Sequence, residues 1–152
     1  MTHKAIDCLV NVPFGDVEQQ PGWMLEVRGD YFKGTTSMFA ADRPDRVCVR
    51  FPKLRRCMIY GVGPWRDIAI QLSIRYENLR LMTSAWSPKR RAESLLHYMR
   101  TRGPNKVIFA SDWPVLRQRR VLPEALTLDL PSDVMDNYLY DNARECFLRG
   151  LG

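Results

Sequence analysis

The segment KVIFASDWPVL, residues 106–116, sets a carboxylate where α/β proteins commonly do chemistry. Val107, Ile108, Phe109 and Ala110 form a short unbroken apolar run, the pattern of a strand buried on both faces. Ser111 and Asp112 follow at once, and Trp113-Pro114 stop the strand. Asp at a strand end often does no more than accept bonds from nearby backbone N–H groups and start a turn. At the carboxyl end of a parallel strand it can also bind a metal or accept a proton from the metal's water. Asn11, Tyr60, Ser84 and Trp86 lie at or near the ends of other apolar stretches, as Trp113 does of this one. Parallel alignment of those stretches gathers the side chains around one pocket mouth, although aromatic residues there can equally cap a core.

Other constellations are missing from the chain. There is no G-x-S-x-G elbow, P-loop or G-x-G-x-x-G, and Gly61-Val62-Gly63 is too short to cradle a phosphate. Cys8, Cys48, Cys57 and Cys146 show neither C-x-x-C nor Cys–His spacing, which argues against a zinc ribbon and against a secreted disulfide framework. Cys8 and Cys57 sit in apolar segments and read as buried thiols. Of the two histidines, His97 falls mid-helix in SLLHYM, and His3 precedes the first apolar stretch.

Four strands are expected to position these residues: 5–12, 56–62, 78–85 and 106–111. A helix is expected over Pro64–Tyr76, with Trp65, Ile68, Ala69, Leu72 and Tyr76 at helical spacing and Pro early, where its missing N–H costs nothing. A second runs from Pro88 to Thr101, with Ser87 as N-cap, Leu95, Leu96 and Met99 on one face, and Gly103-Pro104 ending it. A third begins at Pro131 and carries Val134, Tyr138, Leu139, Asn142 and Cys146 on one stripe. Strand and helix alternate from residue 56 onward, the rhythm of a parallel α/β fold. Residues 13–42 break it: they are rich in Gly and Pro, with one weak helical candidate at Gly22–Phe32.

At 152 residues the chain has one domain's length, and 45% hydrophobic with 26% charged residues is globular composition. No apolar run approaches the roughly 18 residues of a membrane span. The N-terminus lacks the pattern of a signal peptide, so the cytoplasm is the expected location and no membrane partner is expected. The net charge of +6 leaves a basic nucleic-acid-binding module as one alternative. Its basic residues are dispersed, with small clusters only at Lys89-Arg90-Arg91 and Arg117–Arg120 and no recognised nucleic-acid motif beside them.

KVIFASDWPVL, followed by a C-terminal helix with Asp141-Asn142-Ala143, resembles the end of the amidohydrolase-related family of metal-dependent hydrolases and decarboxylases. The likeness runs through residues 43–147, and AIDCLVNV resembles the first barrel strand, written I-D-x-H-x-H in that family. The resemblance implies a TIM barrel, a divalent metal such as zinc, and a small carboxylic acid as substrate. It makes Asp112 a metal ligand or proton-transfer residue, with Asn11, Tyr60, Ser84, Trp86 and Trp113 around the pocket. The chain departs from the pattern where Leu9 and Asn11 replace the two histidines, and where Tyr60-Gly61 stands for His-Gly. Leu cannot ligate a metal and Asn is a weak oxygen ligand for zinc.

A complete TIM barrel takes about 250 residues. The expected fold is therefore one α/β domain over 1–152, a partial TIM-type barrel of about four parallel strands. Their order is 6-7-8-1 of the full barrel, with 13–42 as an irregular insertion and 43–147 as the C-terminal barrel part. Such a half-barrel leaves open edges, which makes a homodimer or aggregation the expected state. Three functional readings stay open: a hydrolase or decarboxylase with degraded or no turnover, a non-catalytic remnant or interaction subunit, and the basic binding module.

Overall fold

A computed structural model of the chain describes residues 4–8, 42–59, 66–113 and 115–148. Three strands, β1 (Arg56–Met58), β2 (Leu79–Met82) and β3 (Val107–Ile108), form a parallel sheet in the order β1-β2-β3. Leu79 lies opposite Arg56, and Leu81 lies opposite both Met58 and Val107. The helices are α1 (Asp42–Arg50), α2 (Arg66–Arg75), α3 (Glu93–Thr101), α4 (Gln118–Leu126) and α5 (Ser132–Asp136). Two wide π turns, Asn137–Asp141 and Arg144–Leu148, carry the last helix on. No helix among the described residues is long and apolar enough to cross a membrane.

Alternation along the strands sorts side chains to two faces. Leu81, Val107 and Phe109 join the cluster built with α2, α3 and the last helix, around Ala69, Leu95, Met99, Val134 and Leu139. Met82, Ile108 and Ala110 point to the other face, which Ala143 and Cys146 cover together with Ile6 and Cys8. Phe109 meets Tyr138 edge-on, ring centroids 5.8 Å apart at 87°, a geometry that contributes about 0.5–1.5 kcal/mol beyond burial.

The last helix closes the β3 side of the sheet. In its first π turn the Asn142 N–H reaches back five residues to the Asn137 carbonyl. The Tyr138 carbonyl accepts from Phe109 N at 3.0 Å, and the Leu139 carbonyl from Ile6 N at 2.8 Å. Residues 4–8 thus run beside the sheet without joining its ladder, where the sequence predicts part of a fourth strand. Buried Asn142 donates through Nδ2 to the Pro104 and Val107 carbonyls at 3.0 and 2.9 Å, at the amino end of β3.

Several expectations are corrected. The strands are shorter than the apolar runs: 56–58, 79–82 and 107–108 within 56–62, 78–85 and 106–111. Residues 60–65 lie outside the described residues. The second helix is two pieces, a 3-10 turn at Pro88–Arg90 and α3 from Glu93. Ser87 makes no cap bond, because its hydroxyl is committed to Glu124 at 2.5 Å. Of the expected α2 stripe Ala69 is buried and Leu72 half-buried, but Ile68 is 39% exposed, and the buried face runs on through Ile70 and Ser73. Ser73 can be buried because its hydroxyl pairs with the Tyr98 phenol at 3.0 Å. Helices α1 and α4 are additional to those expected. The first is tied by Asp45, which pairs with Arg75 at 3.6 Å and accepts from the Tyr76 hydroxyl. Cys8 and Cys57 are half-buried rather than buried. The stripe Val134, Tyr138, Leu139, Asn142 and Cys146 is buried throughout, as expected.

Candidate functional site

Because the strands are parallel, the segments that follow them emerge on one edge of the sheet. Ser84 follows β2 by two residues and is fully buried; Asp112 follows β3 by four and is 2% exposed. Just beyond the same two strands lie Ala85, with φ 62°, and Asp112, with φ 61°, the non-glycine residues with positive φ among those described. A left-handed conformation costs an L-residue about 1–2 kcal/mol, and such strain persists only where neighbouring contacts determine it.

At Asp112 those contacts are visible. Asp7, 104 residues away in sequence, accepts the Ser111 backbone N–H at 2.8 Å through Oδ1 and the Ser111 hydroxyl through Oδ2. Gln118 Nε2 donates to the same Oδ2 at 2.8 Å. Ser111 Oγ in turn accepts from Trp113 N at 3.0 Å, and Val115 N–H donates to the Asp112 carbonyl at 2.8 Å, closing a tight turn. Bonds on both sides of Asp112 therefore fix its backbone. Asp7 belongs to the I-D pair of AIDCLVNV, but the first-strand comparison drew attention to positions 9 and 11. A carboxylate inside an apolar run was the signal available for it.

The loop after β2 is fixed separately. Arg91 Nη2 donates to the Thr83 carbonyl at 2.6 Å and the Trp86 carbonyl at 2.8 Å. Burial lowers the Arg91 pKa, while the nearby Tyr138 phenol favours its charged form without making a well-shaped bond to Nε or Nη1. The Tyr138 hydroxyl is 2.7 Å from Thr83 Oγ1. Glu124 on α4 receives the Ser87 hydroxyl and, at 3.0 Å, Arg120 Nε; both bonds hold its carboxyl below the usual range. Trp86 is 45% exposed and Trp113 half-buried at this edge. The structure thus brings Ser84, Trp86, Asp112 and Trp113 to the ends of adjacent strands, while Asn11 and Tyr60 lie outside the described residues.

Among the described residues no group of three or more His, Cys, Asp and Glu side chains is placed to hold a metal. His97 is exposed on α3, away from this edge, and His3 lies outside the described residues. The three thiols nearest one another, Cys8, Cys57 and Cys146, are pushed toward the protonated form by burial, Cys8 to about 12. Protonated thiols are poor ligands. The described donor set does not fit a catalytic zinc, which needs three protein ligands and an open position.

Parallel strands, an outer layer of helices and a buried acidic residue at the carboxyl edge define a partial TIM-type barrel. A solved TIM-barrel protein of uncharacterized function from Bordetella bronchiseptica superposes with a TM-score of 0.67 at 22% identity. The match covers 74% of this chain and 41% of that one, so the chain spans under half the length of this neighbour. The amidohydrolase family profile matches residues 33–149, and the chain belongs to that family. None of the curated proteins searched matches it.

Proposed function

We propose that the carboxyl edge is the Asp112 corner of an amidohydrolase site for a small carboxylic acid, of the hydrolase or decarboxylase type. In this reading Asp112 is the metal ligand or proton-transfer residue, Ser84, Trp86 and Trp113 border the substrate, and Asn11 and Tyr60 complete the pocket. The observation that carries it is the left-handed Asp112, held by the Asp7–Ser111 bonds at the end of β3. A carboxylate that only started a turn would not need its backbone fixed from a segment 104 residues away. Ser111 and Asp7 act as positioning groups, and the half-exposed tryptophan faces offer an apolar border.

Turnover by this chain alone is expected to be degraded or absent. The family's first-strand histidines are Leu9 and Asn11 here, and neither can hold zinc as histidine does. Zinc should therefore bind weakly or not at all, measured as metal retained after equilibrium dialysis. One tightly held equivalent, lost on Asp112→Ala, would overturn the degraded reading while supporting the site. Hydrolysis or decarboxylation of small carboxylic acids that survives Asp112→Ala would remove Asp112 from the chemistry.

The second reading, an interaction subunit without catalysis, is favoured by large apolar side chains left exposed at Val49, Phe51 and Leu54. Of the basic clusters, Lys89, Arg90, Arg117 and Arg119 are exposed, and two members are engaged within the chain. Arg91 is spent on loop carbonyls and Arg120 on Glu124.

A further inference from the structure

We propose that the outward face of α2 is the centre of a two-fold interface between two copies of this chain. Three observations on one flank carry it.

The first is the order of charges along the helix. Asp67, Gln71 and Arg75 lie at i, i+4 and i+8, one row on the helix surface spanning about 12 Å. The same residues line a shallow groove together with Ile68, Leu72 and Ile74. A row reading negative, neutral, positive is complementary to itself when two copies run antiparallel. The Asp67 carboxylate then meets Arg75 of the second copy, Gln71 meets its own copy as both donor and acceptor, and Arg75 meets Asp67. Rows of i±4 spacing also interlock with one another at the commonest helix crossing angle, about −50°. Arg75 is accessible: its side chain is 68% exposed, its contact with Asp45 is long, at 3.6 Å, and it lies over the Tyr76 ring at 5.3 Å.

The second is the state of the sheet edges. In a closed barrel every strand has two neighbours. The far side of β3 is covered by the last helix and residues 4–8, whereas β1 pairs only with β2 among the described residues. All three β1 residues remain half-buried, unlike β2 and β3. Among the described residues the sheet and its helical layer therefore stop on the same side.

The third is apolar exposure continuing along this flank. Asp45 anchors α1 to the end of α2, and Asn78 Nδ2 holds the Phe51 and Leu54 carbonyls at 3.2 and 3.0 Å. Val49, Phe51 and Leu54 are each at least half exposed. A stable interface buries about 800 Å² per partner, more than one helical face supplies, so these side chains must contribute to it.

Sedimentation of the full chain across a micromolar to sub-millimolar range tests the proposal. A reversible dimer is expected. Asp67→Arg and Arg75→Asp should each weaken it about tenfold or more, since each turns two symmetric attractions into repulsions. The double variant Asp67→Arg/Arg75→Asp should restore it, because the reversed row is again self-complementary. Gln71→Arg, which sets a guanidinium against its own copy, should weaken it as well. Glu93→Gln, on the exposed face of α3 and away from this flank, should leave it unchanged. Asp67, Gln71 and Arg75 are exposed, so their variants should keep the parent's circular dichroism spectrum, which is recorded for each. A monomer throughout, a dimer indifferent to the single reversals, or a double variant that fails to recover would each overturn the assignment.

Discussion

Asp112 combines a buried carboxylate with a backbone conformation that only glycine adopts without strain. The position of Asp112 could be read from the sequence, because an apolar run ending in Ser-Asp-Trp-Pro marks a strand's carboxyl end. Its φ could not, since it depends on bonds from Asp7, a contact made only after the chain has folded. The cost is separable by substitution. Asp112→Ala and Asp112→Gly both lose the side chain and its contacts, but only alanine keeps the left-handed strain. Glycine should therefore be the more stable of the two by about 1 kcal/mol, against the usual ranking in which glycine is the worse residue. Urea unfolding of the two variants decides it, and an alanine variant at least as stable as the glycine one would mean that Asp112 is not strained. A similar limit applied to Ser87. Its type and place before a helix suited a cap, but Glu124 offered its hydroxyl a charged acceptor, and charge-assisted bonds are the stronger.

Elements were legible where burial was one-sided and periodic. The last helix kept its whole predicted stripe buried, because residues at i, i+4, i+5 and i+8 face one way in any helical winding close to 3.6 per turn. The π turns inside it were not legible, since they follow from neighbours needing its carbonyls: Phe109 N and Ile6 N take those of Tyr138 and Leu139. Helix α2 was placed correctly but its buried face is rotated from the expected one, keeping Ala69 and exposing Ile68. Its sequence has apolar residues nearly all round, so periodicity alone did not decide which face Ile68 would occupy. Helix α4 was missed because Pro123 and the arginine run hide its pattern, although Val121 and Ala125 are buried one turn apart. Asn142 is the residue on which the sheet's amino edge depends. It satisfies two carbonyls at once, and both would be left without their side-chain donor in Asn142→Ala. That variant should lose about 1–3 kcal/mol in denaturant unfolding, while Asp141→Ala, one residue away and exposed, should stay within about 0.5 kcal/mol. Equal effects at the two positions would show that the Asn142 bonds do not hold the strand.

At the scale of the whole molecule, the strand–helix alternation from residue 56 was readable apart from α4, and so was the family, because the Asp112 segment and the last helix both carry its pattern. What the sequence alone could not supply is how the successive strand–helix units are held together where the barrel does not close. Two of the long-range polar ties near the carboxyl edge join successive segments: Asp7 to Ser111, and Glu124 to Ser87. The second joins α4 to the loop after β2 and depends on a charged carboxylate. Ser87 and Arg120 lower the Glu124 pKa, so the folded chain binds its proton less readily than the unfolded chain does. A depressed carboxyl contributes stability above its unfolded value, roughly pH 4.3, and loses it as the pH falls through the folded value. Glu124→Gln keeps the shape and removes the titration. The variant should therefore unfold at lower denaturant than the parent at pH 7, with the gap narrowing steadily as both are taken below pH 4. Denaturant midpoints measured across that range test the sign. A gap that stayed constant or widened in acid would mean that the ionised Glu124 carboxylate does not stabilise the joint between the two units.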